Sequence, residues 1–392
     1  PYSQKWEDVD KQLLKPENTQ FGEHLSLTNP FRPETKQAYN SEMNFEEKII
    51  CAFQVLKKKM AWNGRYQLYS KELEKVIKKG SGSNADLNFI LISILKDFGL
   101  EAYPVVMSRR SSGMLPYNFP SLQKLNTFFV AIHDINKQKY VFLDSSMDVP
   151  AFNILPLELS VNKARMLSLK EKEEKKWVNV MALSHNKSFM KIDARIEGNQ
   201  VKGHRSTVLY GQEAIEYQAN ENHKQDNLVS NPENKVSQKE KLTVTNLKVK
   251  KQENDWALIE EEFDFVLQAD RTDDHLYINP MLFPQLKSNP FIQTERVLPI
   301  EFPYPYKFTM LSTLTLPEGY EVEELPQSQS IRSEGDGLQC KYMIQQQGNT
   351  ILLNYVFHLK GYIFLSEQYK QLQELWAKVI EKNNALIVLK KI

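Results

Sequence analysis

Residues 78–106 read KKGSGSNADLNFILISILKDFGLEAYPVV. A loop rich in glycine and serine opens a run that is apolar almost all round, and an extended segment follows. Leu87, Phe89, Ile90, Leu91, Ile94, Leu95 and their neighbours surround the axis of a helix over 85–98. That pattern predicts the central buried helix of its domain. Gly99 is a natural stop for it. Loops of this kind often deliver a catalytic nucleophile to a helix N-terminus, where the dipole brings a thiol pKa into a useful range. The question is which residue holds that position here.

The chain around this segment reads as helices before strands. Residues 1–45 are polar with scattered prolines; WEDVDKQLL predicts a short helix and TNPFRPETK a loop. FEEKIICAFQVLKKKM (45–60) has helical periodicity, and SKELEKVIKK (70–79) predicts another helix. Extended segments are expected at 103–107, 127–132 and 140–143, with a long loop from Ser108 to Leu125 between the first two. The charged run KEKEEKK (170–176) reads as a linker or a solvated segment.

From Trp177 the pattern changes to period two. Met190, Ile192, Ala194 and Ile196 alternate with Lys191, Asp193, Arg195 and Glu197, and Gly198-Asn199 provides a turn. The polar stretch 221–241 reads as a surface loop. Further strands are expected at 255–267, 308–316, 338–345 and 350–359. An amphipathic helix from about Ser366 to Asn383 closes the chain. The fold class is therefore α+β, with domains at 1–172 and 177–392, the second an antiparallel β-sandwich-like region with a C-terminal helix.

Composition narrows the function classes. The chain has 392 residues, 41% hydrophobic and 11% aromatic, so it is globular. Its 50 Lys and Arg face 49 Asp and Glu, a balance that gives no reason to expect a nucleic-acid partner. No apolar run reaches the roughly 18 residues that span a bilayer. Cys51 and Cys340 are too few for a disulfide framework and read as small buried hydrophobes. The chain begins Pro1-Tyr2-Ser3 without methionine, which fits an exported, processed protein or a trimmed chain.

The glycine-rich loop entering a buried helix, the GLEAYPVV strand after it, and a later strand pair ending in YVFLDSS together resemble the transglutaminase-like superfamily, a papain-like fold. More closely, WEDVDKQLL, KMAWNGRY, MSRRSSG and EKNNALIVLKK resemble the multidomain exported proteins of Bacteroidetes that carry such a core between β-rich domains. The resemblance covers the whole chain. It implies a transglutaminase-like core at 1–172 and a periplasmic or cell-envelope location. The N-terminal β-domain usual in that group is not evident, so a fragment or a shortened member is expected.

In catalytic members a cysteine stands one helix length before the glycine of the turn. Counting back from Gly99 lands on Asn84. Asn84 has no thiol, but asparagine is a favoured helix N-cap, and it is expected to cap the buried helix with Ser83 or Asp86 assisting. The histidine position of the family falls on Thr127, which cannot serve as a base near neutral pH. The aspartate position falls on Asp144, whose family role is to orient the imidazole. Without the histidine, Asp144 is expected to receive backbone N–H groups at a strand end. Ser81 and Ser83 lie in the loop but need a base. His133 shares the strand parity of Thr127, yet six residues at about 3.3 Å each put it roughly 20 Å away. Cys51 sits in an apolar run with no basic partner in sequence.

Outside those positions, Arg109 and Arg110 flank the long loop and either bind a carboxylate or a glycan acid in the cleft or are loop surface. The aromatic segment GMLPYNFP (113–120) is a lid, a partner surface, or simply packed down. Glu260, Glu262 and Asp264 share a strand face and read as a solvated face rather than a calcium site. RTDDH (271–275) matches no zinc spacing. No cofactor and no metal are expected. The expectation is a catalytically inactive transglutaminase-like protein that binds an unknown protein, peptide or glycan. The alternatives are an amidase, peptidase or transglutaminase with a non-standard nucleophile, and a carbohydrate- or peptide-binding β-module.

Overall fold

The structure is a computed structural model that describes residues 5–183, 186–225, 235–237, 242–252 and 255–392. It is α+β with more sheet than helix, and it divides into two compact units, 1–184 and 185–392.

The first unit carries helices α1 (Trp6–Leu14), α2 (Arg32–Ala38), α3 (Phe45–Lys59), α4 (Leu73–Lys79) and α5 (Asn84–Asp97). Its strands are β1 (Ala61–Trp62), β2 (Ser81–Gly82), β3 (Ala102–Met107), β4 (Thr127–Asp134), β5 (Lys139–Leu143), β6 (Ala164–Met166) and β7 (Trp177–Val178). The last five form one antiparallel sheet in the order β5-β4-β3-β6-β7. β1 and β2 pair in parallel.

Local chemistry explains the helix ends. Asn44 and Glu47 close a capping box on α3, whose last turn is all lysine, complementing the dipole. Ser83 and Asp86 close another on α5. Gly99 stops α5 at a positive φ of 74° that a side chain would resist. Every residue of α5 from Asn84 to Leu95 is buried, as the apolar run predicts. β4 is buried on both faces: Phe128, Val130 and Ile132 meet α3 and α5, while Phe129 and Ala131 meet Leu155, Leu159 and Val180. Each such Phe, Leu or Ile adds about 1.5–3 kcal/mol on burial.

Three expectations for this unit are corrected. TNPFRPETK is not all loop, because Arg32–Ala38 is helical with Pro33 in its first turn, where a missing N–H costs nothing. Asn84 is the first helical residue, and the cap is Ser83. The charged run 170–176 is neither linker nor fully solvated. Glu173–Lys176 forms a 3-10 turn, Lys176 is buried, and Trp177–Val178 belongs to the first sheet.

That turn completes a buried ion cluster. Arg165 is fully buried, and its Nε and Nη2 donate to Asp10 at 2.6 and 2.7 Å. Its Nη1 donates to Glu173 at 2.6 Å, and Lys176 Nζ reaches Asp10 at 3.2 Å. Trp6 and Trp177 stack on the guanidinium at 5.8 and 5.1 Å. Helix α1 is thereby fastened to β6 and β7.

The second unit begins with β8 (Asn186–Glu197), β9 (Gln200–Tyr210) and α6 (Gln212–Gln225). It continues with β10 (Lys235–Ser237), β11 (Leu242–Gln252), β12 (Asp255–Gln268), β13 (Asp270–Thr272) and β14 (His275–Ile278). Then come β15 (Ile300–Glu301), β16 (Tyr306–Thr315), β17 (Tyr320–Glu324), β18 (Gln329–Arg332), β19 (Leu338–Gln347), β20 (Thr350–Leu359), β21 (Ile363–Phe364), α7 (Tyr369–Asn383) and β22 (Ile387–Lys391). Nine strands form one sheet in the order β10-β11-β12-β9-β8-β16-β20-β19-β18. β13, β14, β22 and β17 form a second sheet. The inner face of the large sheet packs on the small sheet and on Leu372, Trp376 and Val379 of α7. β8 alternates buried and exposed along its whole length, as its sequence predicts.

Here too the expectations need correcting. The large sheet is antiparallel except for β8 and β16, which run parallel. The chain closes on β22, not on the helix, because Ile387 and Leu389 bury against the core. Residues 221–225 extend α6 and 235–237 form β10; the rest of the expected surface loop 221–241 lies outside the described residues.

Candidate functional site

Asn84, Thr127 and Asp144 come together although they lie far apart in sequence. α5 supplies Asn84, the first residue of β4 is Thr127, and Asp144 follows the end of β5. Asn84 Nδ2 donates to Thr127 Oγ1 at 2.9 Å, to the Phe128 carbonyl at 3.0 Å and towards Asp144 Oδ2 at 3.4 Å. Its Oδ1 accepts the Gln67 N–H at 2.9 Å, and its own N–H donates to the Arg65 carbonyl at 3.0 Å. The segment 61–67 therefore runs as a strap over the helix N-terminus. Ala61 and Asn63 extend the same zipper to Gly80 and Gly82.

Asn88, one turn on from Asn84, doubles the arrangement. Its Nδ2 donates to the Phe128 carbonyl at 2.8 Å and to Asp144 Oδ2 at 2.9 Å. Its Oδ1 accepts the Ser145 N–H at 3.0 Å and hydroxyl at 2.6 Å. The other oxygen of Asp144 takes the Ser146 N–H at 2.9 Å and the Ser146 hydroxyl. Lys57 donates to the Ser145 carbonyl at 2.9 Å. The Tyr66 hydroxyl lies 3.3 Å from Ser146 Oγ. Burial pushes that phenol up to about 12. Burial also raises Asp144, against the four donors that favour its charged form.

The cluster is closed to solvent. Asn84 and Thr127 are 0% exposed and Asp144 is 1% exposed. An amide nitrogen is not a nucleophile, and each donor and acceptor of Asn84 already has a partner. The groups bonded to its side chain are a threonine hydroxyl, a carboxylate and backbone groups, with no histidine among them. The expectation that Asp144 receives backbone N–H groups holds for Ser146, but most of its donors are side chains. Asn88, Ser145 and Ser146 are the members the sequence reading did not single out. Two asparagines at i and i+4 on an otherwise apolar helix carry the signal, since they share a face.

The other candidates lie outside this cluster. Arg109 donates its N–H to Asn126 Oδ1 at 2.9 Å and approaches Glu158 at 4.0 Å. Arg110 opens the turn Arg110–Ser112. His133 stacks on Tyr140 with ring centroids 4.8 Å apart and stands 3.8 Å from Glu101. Ser83 is committed to Asp86 at 2.7 Å. Cys51 is half-buried and points at the Ala38 carbonyl, with its thiol pushed up by burial; Cys340 is fully buried and pushed up to about 11.

In the second unit Glu260, Glu262 and Asp264 pair with Lys250, Lys248 and His204 on a solvated face. RTDDH makes the turn between β13 and β14. Among the described residues no group of three or more His, Cys, Asp or Glu is placed to hold a metal ion. No described helix is long and apolar enough to cross a membrane.

Comparison with known proteins adds fold information. Residues 274–389 match DUF3858, a domain family of unknown function with a solved structure. The crystal structure of a candidate protease from Parabacteroides distasonis is similar over 94% of this chain, with 12% identity and a TM-score of 0.53. The chain spans 57% of that protein's length, and at that identity the likeness is one of fold. No curated protein matches the chain.

Proposed function

We propose that this chain is a catalytically inactive transglutaminase-like protein that serves as a binding or scaffolding component of the cell envelope. The supporting observation is the environment of Asn84. At the helix N-terminus, where a catalytic member would place its sulfur, an amide is held on all sides and sealed from solvent. The likeness in fold to the Parabacteroides distasonis protein is compatible with this reading, as are the GSGSNADLNF, GLEAYPVV and YVFLDSS segments. With the former centre filled, the fold is retained for its surfaces. The envelope location rests on the sequence resemblance.

The test is covalent labelling. The full chain is treated with a broad electrophilic probe and mapped by peptide mass spectrometry. The expected outcome is no stoichiometric adduct at Ser81, Ser83 or Cys51. A stoichiometric adduct at one of them revives the alternative, an amidase or peptidase with a non-standard nucleophile.

The glycan- or peptide-binding alternative has one observation in its favour. A groove of ≈ 630 Å³ on the second unit is lined by Asp193, Arg195, His204, Asp264 and threonines 245 and 313. A glycan array probed with the full chain that gives no signal removes the glycan form of it.

A further inference from the structure

The loop between β3 and β4 holds two large apolar side chains outward on a fixed backbone. Met114 is 63% exposed and Phe119 is 76% exposed. Beneath them the loop is tied down. Leu115 is buried, and the Ser108 hydroxyl donates to the Gly113 carbonyl at 2.9 Å. Trp6 Nε1 donates to the Tyr117 carbonyl at 2.7 Å, and the Tyr117 ring meets Trp177 edge-on at 5.6 Å. The Phe119 N–H donates to Pro116 at 3.1 Å. Leu157, also exposed, lies in a turn that packs beside Arg110–Ser112. A loop already ordered loses little further freedom on binding.

The charged side chains of the loop itself have one sign. Residues 108–126 contain Arg109, Arg110 and Lys124 and no Asp or Glu. Lys163 adds a cation, stacked on Tyr117 at 4.8 Å. The acid that faces them, Glu158, is engaged by Ser111 and Arg109.

We infer that this loop is a docking surface for a protein partner that presents acidic residues around an apolar recess. The inference rests on the reading of the chain as a non-catalytic binding component, and it places the contact away from the sealed polar cluster. A few aromatic and arginine side chains carry most of the energy of such interfaces, and complementary charge sets the encounter rate. An anionic lipid surface would meet the same charges. It is the weaker fit, because two inserted side chains amount to no more than a single marginal, reversible anchor.

The test compares the full chain with its Met114→Ser/Phe119→Ser double variant. The probes are arrayed synthetic peptides in which acidic residues flank one aliphatic or aromatic residue, a matched array with lysine in place of the acids, and equimolar phosphatidylserine–phosphatidylcholine vesicles. The wild type is expected to favour the acidic array, and the double variant to bind it at least about tenfold more weakly. Acidic-array binding that the double variant leaves unchanged moves the contact off the loop, while the binding reading stands. No preference for the acidic array, or binding to vesicles alone, overturns the inference. Turnover of any arrayed peptide overturns the function reading beneath it.

Discussion

The side-chain amide of Asn84 donates to the Thr127 hydroxyl at 2.9 Å with neither residue exposed to solvent. The helix N-terminus and the start of the second sheet strand are thereby joined by a bond between two groups that perform no acid–base chemistry. Asn84 also holds the strap through Gln67.

Asn84→Ala removes that join. It leaves the Gln67 N–H and the Phe128 and Thr127 oxygens with fewer partners in a buried site. A loss of about 2–3 kcal/mol is expected, since each unpaired buried polar group costs roughly 1–3 kcal/mol. Chemical denaturation of the two chains measures it. A change within about 0.5 kcal/mol, the level of an ordinary surface substitution, would show the amide to be structurally idle.

Asp144 predicts a pH dependence. Burial raises its folded pKa above the unfolded value of about 3.9. The folded state therefore keeps the proton longer than the unfolded state. The stability from this group is fully present below about pH 3.9 and is lost as pH rises through the folded pKa. Asp144→Asn is expected to flatten the fall in unfolding free energy over that range. Asn84→Asp would set a second carboxylate beside the first and steepen it. Equal slopes in all three chains would contradict the burial argument.

The Arg165 cluster predicts a larger effect. Asp10→Ala leaves a fully buried guanidinium short of its bidentate partner. Breaking one side of such a pair costs about 3–5 kcal/mol. The variant should lose stability by that order and release α1 to limited proteolysis at its N-terminal end. A protease-resistant α1 in the variant would show that Trp6, Val9 and Leu13 suffice to hold it.

Trp376→Ala tests the second core. The ring lies 5.2 Å from Phe291 and 5.4 Å from Phe357, almost perpendicular to the first. Removing a buried tryptophan costs about 3–5 kcal/mol. Thermal unfolding should show the loss. A shift no larger than that of a surface substitution would place α7 outside the core.

What the sequence made legible follows the range of the interactions. The buried helix and the alternation of β8 are local patterns, and they fold as written, while the cap of that helix falls one residue earlier than expected, on Ser83. The meeting of Asn84, Thr127 and Asp144 was expected only from a resemblance, because no local pattern links residues 43 and 60 positions apart. Asn88 was readable from helical spacing but was masked by the apolar run around it. The Arg165 cluster was not legible. Asp10 and Arg165 are 155 residues apart, and Glu173 and Lys176 sit in a run whose composition looks solvated. The short strand β22 was hidden because ALIVLKK follows a helix and reads as its tail.

Amide hydrolysis and amine transfer by the full chain are to be followed over a panel of peptides beside Asn84→Ala. Neither chain should turn over any substrate above the uncatalysed rate. Robust turnover that survives Asn84→Ala would mean that another residue attacks, and that the sealed amide is not the end of the chemistry.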